Sequence, residues 1–218
     1  MNKPHDPAAT RELIQAYHAA NIDAVPALLA RGAHIDARLE TGKTLLQAAI
    51  TQRQEAFAFT LLGYGASTAA LSEDDGLSAL HYAVRDNYVG MIDALLAAGA
   101  DPNIRSRSGM TPLHIAAEET NIRNIKALIK AGADVCAEDN NGRTPRRLAE
   151  VRAQESFAFA AQEYGQTADF LKPLEDKRRE ELERIRLGAE EHERAQRAQE
   201  DLFRRHDSAL FRLKPPRK

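Results

Sequence analysis

The chain has 218 residues, 43% of them hydrophobic, 6% aromatic and none Trp, with a formal net charge of -2. Such a composition supports a buried core and excludes disorder throughout, and its Ala- and Leu-rich apolar set favours close-packed helices over a β-sandwich. The single cysteine, Cys136, forms no internal disulfide, and a reducing compartment fits it best. The opening MNKPHDPAATREL lacks the apolar run of a secretion signal, and no stretch of about 18 apolar residues occurs. A soluble, cytoplasmic protein is expected. Residues 1–168 carry 16 Lys+Arg against 20 Asp+Glu, and residues 169–218 carry 14 against 12, so neither part has the one-signed field that phosphate backbones or membrane surfaces select. Neither nucleic acid nor membrane is an expected partner.

In chain order, residues 7–38 hold two helical segments and close on Gly32-Ala-His-Ile-Asp36, with Asp6 and Pro7 supplying an N-cap and a first-turn proline. Residues 39–72 contain Gly42-Lys-Thr-Leu-Leu-Gln-Ala-Ala49, then an apolar segment with Leu61 and Leu62. Residues 73–105 contain Gly76-Leu-Ser-Ala-Leu-His-Tyr-Ala83 and a second segment ending at Gly99-Ala-Asp101. Residues 106–138 repeat this as Gly109-Met-Thr-Pro-Leu-His-Ile-Ala116 and Gly132-Ala-Asp134. Residues 139–168 begin Gly142-Arg-Thr-Pro-Arg-Arg-Leu-Ala149.

Two interleaved glycine series carry one period. Gly42, Gly76, Gly109 and Gly142 are spaced 34, 33 and 33, while Gly32, Gly65, Gly99 and Gly132 are spaced 33, 34 and 33. A fixed period of this size marks a solenoid. An offset of 100 also aligns Gln54-Glu-Ala-Phe-Ala-Phe with Gln154-Glu-Ser-Phe-Ala-Phe and Tyr64-Gly65 with Tyr164-Gly165, so Gly142 to Gly165 is expected to be a full repeat. The hydroxyls of Thr44, Ser78, Thr111 and Thr144 are placed to cap the first helix of each unit, with Pro112 and Pro145 in its first turn. Small Ala49, Ala83, Ala116 and Ala149 permit close packing of that inner helix. No one helix pair can bury its apolar face alone, so the units must stack.

These motifs resemble the ankyrin repeat family over about residues 10–165. The resemblance implies an all-α solenoid of about five repeats, the outer two atypical caps, with short β-hairpin fingers. In that family the motif histidine bonds neighbouring repeats, so His81 and His114 are expected to be structural; Gln47 and Arg147 occupy the matching outer positions. The family binds proteins through finger tips and inner-helix ends. Register maps these to Leu39, Glu40, Lys43, Asp74, Asp75, Leu77, Arg107, Met110 and Arg143 on the fingers, and to Arg85, Asp86, Glu118, Glu119 and Arg152 on the inner helices. Leu39, Leu77 and Met110 are expected to face away from the stack as an apolar centre rimmed by charge. Asp74 and Asp75 fall on a finger longer by one residue.

No catalytic residues, cofactor or metal are expected, since phosphate loops, paired Cys ligands and nucleophile elbows are absent and His192 and His206 are too far apart for a one-helix metal site. After Pro173, Leu174 to Leu213 is dense in Glu and Arg and free of Pro, predicting a charged helix over 169–213 that spans roughly 60 Å. A 3.5-type seam is apolar only at its ends, less than a continuous coiled coil requires, so a solvated helix supported by i, i+4 pairs such as Glu180/Arg184 and Glu190/Arg194 is expected. Leu202, Phe203, Leu210, Phe211 and Leu213 form an apolar tail cluster that could dock on the repeats, join a second copy or contact a partner. Residues 214–218 are a basic end expected to be disordered.

The chain therefore reads as a non-enzymatic module for another protein, with the tail adding contacts. Two narrower readings stay open: an immunity- or antitoxin-type inhibitor of a toxin or effector enzyme, and a homo-oligomeric scaffold built through the tail.

Overall fold

The computed structural model describes residues 5–212, with side chains described through Arg197. Ten α-helices are present among them: α1 (Pro7–His18), α2 (Val25–Ala30), α3 (Leu45–Thr51), α4 (Glu55–Gly63), α5 (Ala79–Arg85), α6 (Val89–Ala97), α7 (Pro112–Glu118), α8 (Ile122–Lys130), α9 (Pro145–Glu155) and α10 (Ala158–Arg212). They pair as α1/α2, α3/α4, α5/α6 and α7/α8, and consecutive inner helices α1, α3, α5, α7 and α9 pack in series. Two compact units result, dividing after Leu174.

Local chemistry sets the helix starts. Asp6 accepts from the Ala8 N–H ahead of Pro7. Thr44 and Ser78 form reciprocal capping boxes with Gln47 and His81. Between inner and outer helices the chain turns through a left-handed residue, Ala20, Arg53, Asn87 and Thr120, with φ of 50–56°. Leu13, Tyr17, Leu46, Leu61, Leu80, Leu95, Leu113 and Leu128 lie in the continuous core this produces.

The fingers contain no extended sheet among the described residues. Each is a turn closed by one backbone bond: Leu39 N–H to Lys43 O, Ser72 N–H to Leu77 O, Ser106 N–H to Met110 O and Asp139 N–H to Arg143 O. Isolated bridges join Arg38 to Thr44 and Leu71 to Ser78. The closure from Ser72 to Leu77 encloses the extra residue seen in the sequence.

The last repeat departs from the expected full copy. The position equivalent to Arg53, Asn87 and Thr120 is Ala153, which stays helical, so α9 has 11 residues where α3, α5 and α7 have 7. Arg53 donates to the Asp86 carbonyl of the next repeat and lies over Tyr88, while Asn87 receives Asn121 and Asn124. Ala153 continues the helix, a conformation that alanine favours.

As a consequence Phe57 is 2% exposed but its counterpart Phe157 is 94% exposed, and Gly165, counterpart of the turn glycine Gly65, sits inside α10. The helix expected over 169–213 is instead the continuation of one begun at Ala158, running through Pro173. Ala168 and Leu171 in α10 are buried in the first unit. In the second unit Arg178–Glu181, Arg179–Glu175 and Arg197–Glu193 pair along the helix. Glu190 faces Arg186 rather than the expected Arg194. The side chains of Leu202, Phe203, Leu210 and Phe211, and Leu213 with the basic end 214–218, lie outside the described residues.

Candidate partner-binding face

Between repeats the inner helices are bolted to the following finger. The buried His81 accepts the Ser78 N–H at Nδ1 (3.1 Å) and donates from Nε2 to the Met110 carbonyl (2.9 Å). His114 does the same between the Thr111 N–H (3.1 Å) and the Arg143 carbonyl (2.9 Å). Gln47 reproduces the arrangement with an amide, accepting from Thr44 and donating to Ala70 and Leu77 carbonyls. Burial pushes the His81 imidazole down to about 4 and lowers that of His114 too, outweighing the bonded carbonyls that favour the charged form. Both rings are neutral, and both nitrogens of each are engaged.

The fingers stack by a second ladder: Glu73 N–H to Gly42 O, Arg107 N–H to Asp75 O, and Asn140 N–H to Ser108 O. The Arg107 guanidinium donates to the Glu73 and Asp74 carbonyls, so this predicted contact residue straps two fingers together. Arg143 is held by Asp139, whose carboxyl is pushed up by burial but held down at about 2 by the Arg143 guanidinium and the N–H groups of Arg143 and Asn141.

Of the expected interface residues, Leu77 belongs to the interior and Asp75 is half-buried. Leu77, predicted to face away from the stack, is 8% exposed and its carbonyl receives Gln47, because the longer finger folds it back onto the core. Asp75 accepts from Ser72, the Leu77 N–H and the Tyr82 hydroxyl, filling the space inside that finger. Its carboxyl is lowered because these donors outweigh its burial. Met110 and Leu39 are half-buried and pack on the core by one side.

What remains accessible is grouped. At the first finger, Ile14, His18, Arg38, Leu39, Glu40, Thr41 and Gln52 line a groove of about 350 Å³. Next to it, Lys43 and Arg85 lie over the ring of Tyr82, with the Lys43 ammonium 4.9 Å and the Arg85 guanidinium carbon 4.8 Å from its centroid. Asp74 is exposed at the tip of the long finger. Further along, Arg152 bridges back to Glu118, and Arg85 pairs with Asp86. Glu119 is exposed, and its carboxyl is raised by partial burial and by Glu118 and Asp86.

Ile14, His18 and Arg38 were missed by register mapping because the first repeat lacks the motif that set the register, and Thr41 was passed over beside Gly42 in the second. Tyr82, over which both cations lie, is itself fully buried and belongs to the core rather than to the accessible face. Among the described residues no group of three His, Cys, Asp or Glu is placed to hold a metal, and no helix is long and apolar enough to cross a membrane.

A family model described as ankyrin repeats (3 copies) matches residues 13–106 and 90–169. The chain belongs to the ankyrin-repeat family. Its architecture is therefore that of a protein–protein interaction module. Comparison with curated proteins finds no match.

Proposed function

We propose that this ankyrin-repeat chain is a non-catalytic module whose finger-and-inner-helix face holds another protein. The observation that carries the proposal is the groove at the first finger, where the partly buried Ile14 and Leu39 adjoin the charged Arg38 and Glu40. An apolar floor with a polar rim suits one aliphatic or aromatic anchor from a partner. Lys43, Arg85, Asp86 and Glu119 extend a charged surface beyond it. The neutral, doubly bonded state of His81 and His114 supports a non-catalytic role, since neither ring has a nitrogen left for proton transfer.

The test is affinity capture from the source cells, with wild type compared against Leu39→Ser/Glu40→Lys. The double variant is expected to lose the captured protein at least tenfold while its thermal midpoint stays within a few degrees. An unchanged captured set would place binding elsewhere. A narrower reading, an inhibitor of a toxin or effector enzyme, draws on the exposed Glu73 and Asp74 at the long finger, which offer acid to a basic active site. Co-expression that rescues cells from the captured enzyme, and rescue lost with Asp74→Lys, is the outcome expected of it.

A further inference from the structure

The last repeat holds two segments suited to one place in the core. In the second repeat the outer helix buries Phe57, Ala58 and Leu61, and in the third the equivalent Met91, Ile92 and Leu95. Their counterparts in the last repeat are Phe157, Ala158 and Ala161. Phe157 and Ala158 are exposed, with the exposed Phe159 beside them. What α10 buries instead is Thr167, Ala168 and Leu171, the same spacing ten residues further on, and the Lys126 ammonium of α8 lies 5.4 Å from the ring centroid of Phe170 in that stretch.

We propose that the last repeat is a two-state switch, in which residues 155–163 dock as a regular outer helix and displace residues 167–174 from the core. Ten residues are about 2.8 turns, so the two sets lie on different faces of a continuous helix and only one meets the core at a time.

The local conformations that the docked state needs are within reach of the sequence. Ala20 takes the left-handed turn of the first repeat at φ 50°, so an alanine at the equivalent Ala153 suffices to end α9 early. Gly165 stands where Gly65, Gly99 and Gly132 leave their repeats at φ of 83°, 84° and 93°, and inside α10 it weakens the helix it now belongs to. The chain is already broken between α9 and α10 at the extended Ser156, with ψ 158°, so the exchange moves a break by three residues and creates none. Ala161 and Gln162 replace the Leu61/Leu62 and Leu95/Leu96 pairs, and this loss of apolar contact is what favours the state with Leu171 buried. A ligand that takes up the displaced Phe170, Leu171 and Leu174 shifts the balance towards the completed repeat.

The switch does not rest on the reading of the finger face, and its test involves no capture. In the full chain with Cys136→Ser, a thiol placed by Ala168→Cys is protected in the state with Leu171 buried and open to reagent when residues 155–163 are docked. Restoring the leucine pair with Ala161→Leu/Gln162→Leu is expected to speed its labelling about tenfold or more, and Phe157→Asp to slow it by a similar factor. Phe157 is in water in the present state, so a role for it in protecting or exposing position 168 exists only if the docked state forms. A labelling rate indifferent to residue 157, or unmoved by the leucine pair, overturns the proposal. An independent readout is Phe157→Trp, whose emission is expected to be that of an exposed indole and to shift to the blue when Ala161→Leu/Gln162→Leu is added. Emission that stays that of an exposed indole in the triple variant also overturns it.

Discussion

The third and fourth repeats and the last one start from the same Gly-x-Ser/Thr motif and end differently. In the former, a histidine reaches the next finger, a left-handed residue turns the chain into the outer helix, and a glycine at the finger tip admits the neighbouring finger. In the last repeat the histidine position is Arg147, which pairs with Glu150 within its own helix, the turn residue Ala153 is helical, and the tip glycine Gly142 faces open space. The difference teaches that the motif encodes half of an interface. Where the other half is missing, the same segment follows its local helix propensity and runs on into α10.

The largest effect that could break this comparison is at the histidine. Because His81 is neutral in the fold with a value near 4 against 6.5 unfolded, the unfolded chain binds the additional proton between those pH values. Stability is therefore full above about 6.5 and falls as pH drops toward 4, by up to about 3 kcal/mol. His81→Ala is expected to abolish that part of the pH slope and to cost about 3 kcal/mol at pH 7, by leaving the Ser78 N–H and Met110 carbonyl unpaired and a hole behind. Arg147→Ala should cost under about 0.5 kcal/mol. Urea titrations across pH measure both, and equal losses at the two sites would remove the distinction.

A smaller difference is expected at the finger tips. Gly76 and Gly142 have nearly the same φ, +68° and +70°, so alanine is strained at either. At Gly76 the added Cβ would also meet the Arg107 N at 2.7 Å and its Cβ at 2.8 Å, whereas at Gly142 nothing lies within 4 Å. Gly76→Ala should thus exceed Gly142→Ala by about 2 kcal/mol, the scale of overpacking costs. Matched losses would mean that φ strain alone governs both.

The smallest sharpens the turn. Thr120→Gly relieves a β-branched residue at φ 52° and is expected to stabilise by about 0.5 kcal/mol. Ala153→Gly, in mid-helix, is expected to destabilise by about 1 kcal/mol. Opposite signs in thermal melts confirm that equivalent positions adopt different conformations, and like signs contradict it.

Much of the candidate face was legible because fingers and inner helices recur at a period the glycines mark. Glu40, Lys43, Asp74, Arg85 and Glu119, placed by register alone, are exposed or half-buried in the structure, and a contact to a partner at them is part of the proposal. Leu77, expected to face away from the stack, is buried, and Asp75 is half-buried and engaged within its own finger, because register gives a position along the finger and not its fold. One added residue between Ser72 and Leu77 turns the leucine inward and calls the carboxylate in to satisfy Ser72, Tyr82 and a backbone N–H. Arg107 was read as a contact for the same reason: a guanidinium on an exposed finger looks available until the neighbouring carbonyls are placed.

The amino-acid sequence by itself determined the solenoid, its helix starts and its period, because caps, left-handed turns and apolar spacing are local and repeated. Only the tertiary structure decided where the repeat stops being a repeat. Arg53 and Asn87 make bonds to the following unit at their left-handed turns, Ala20 and Thr120 turn the same way without them, and Ala153 at the equivalent place stays helical, with the long helix beginning at Ala158.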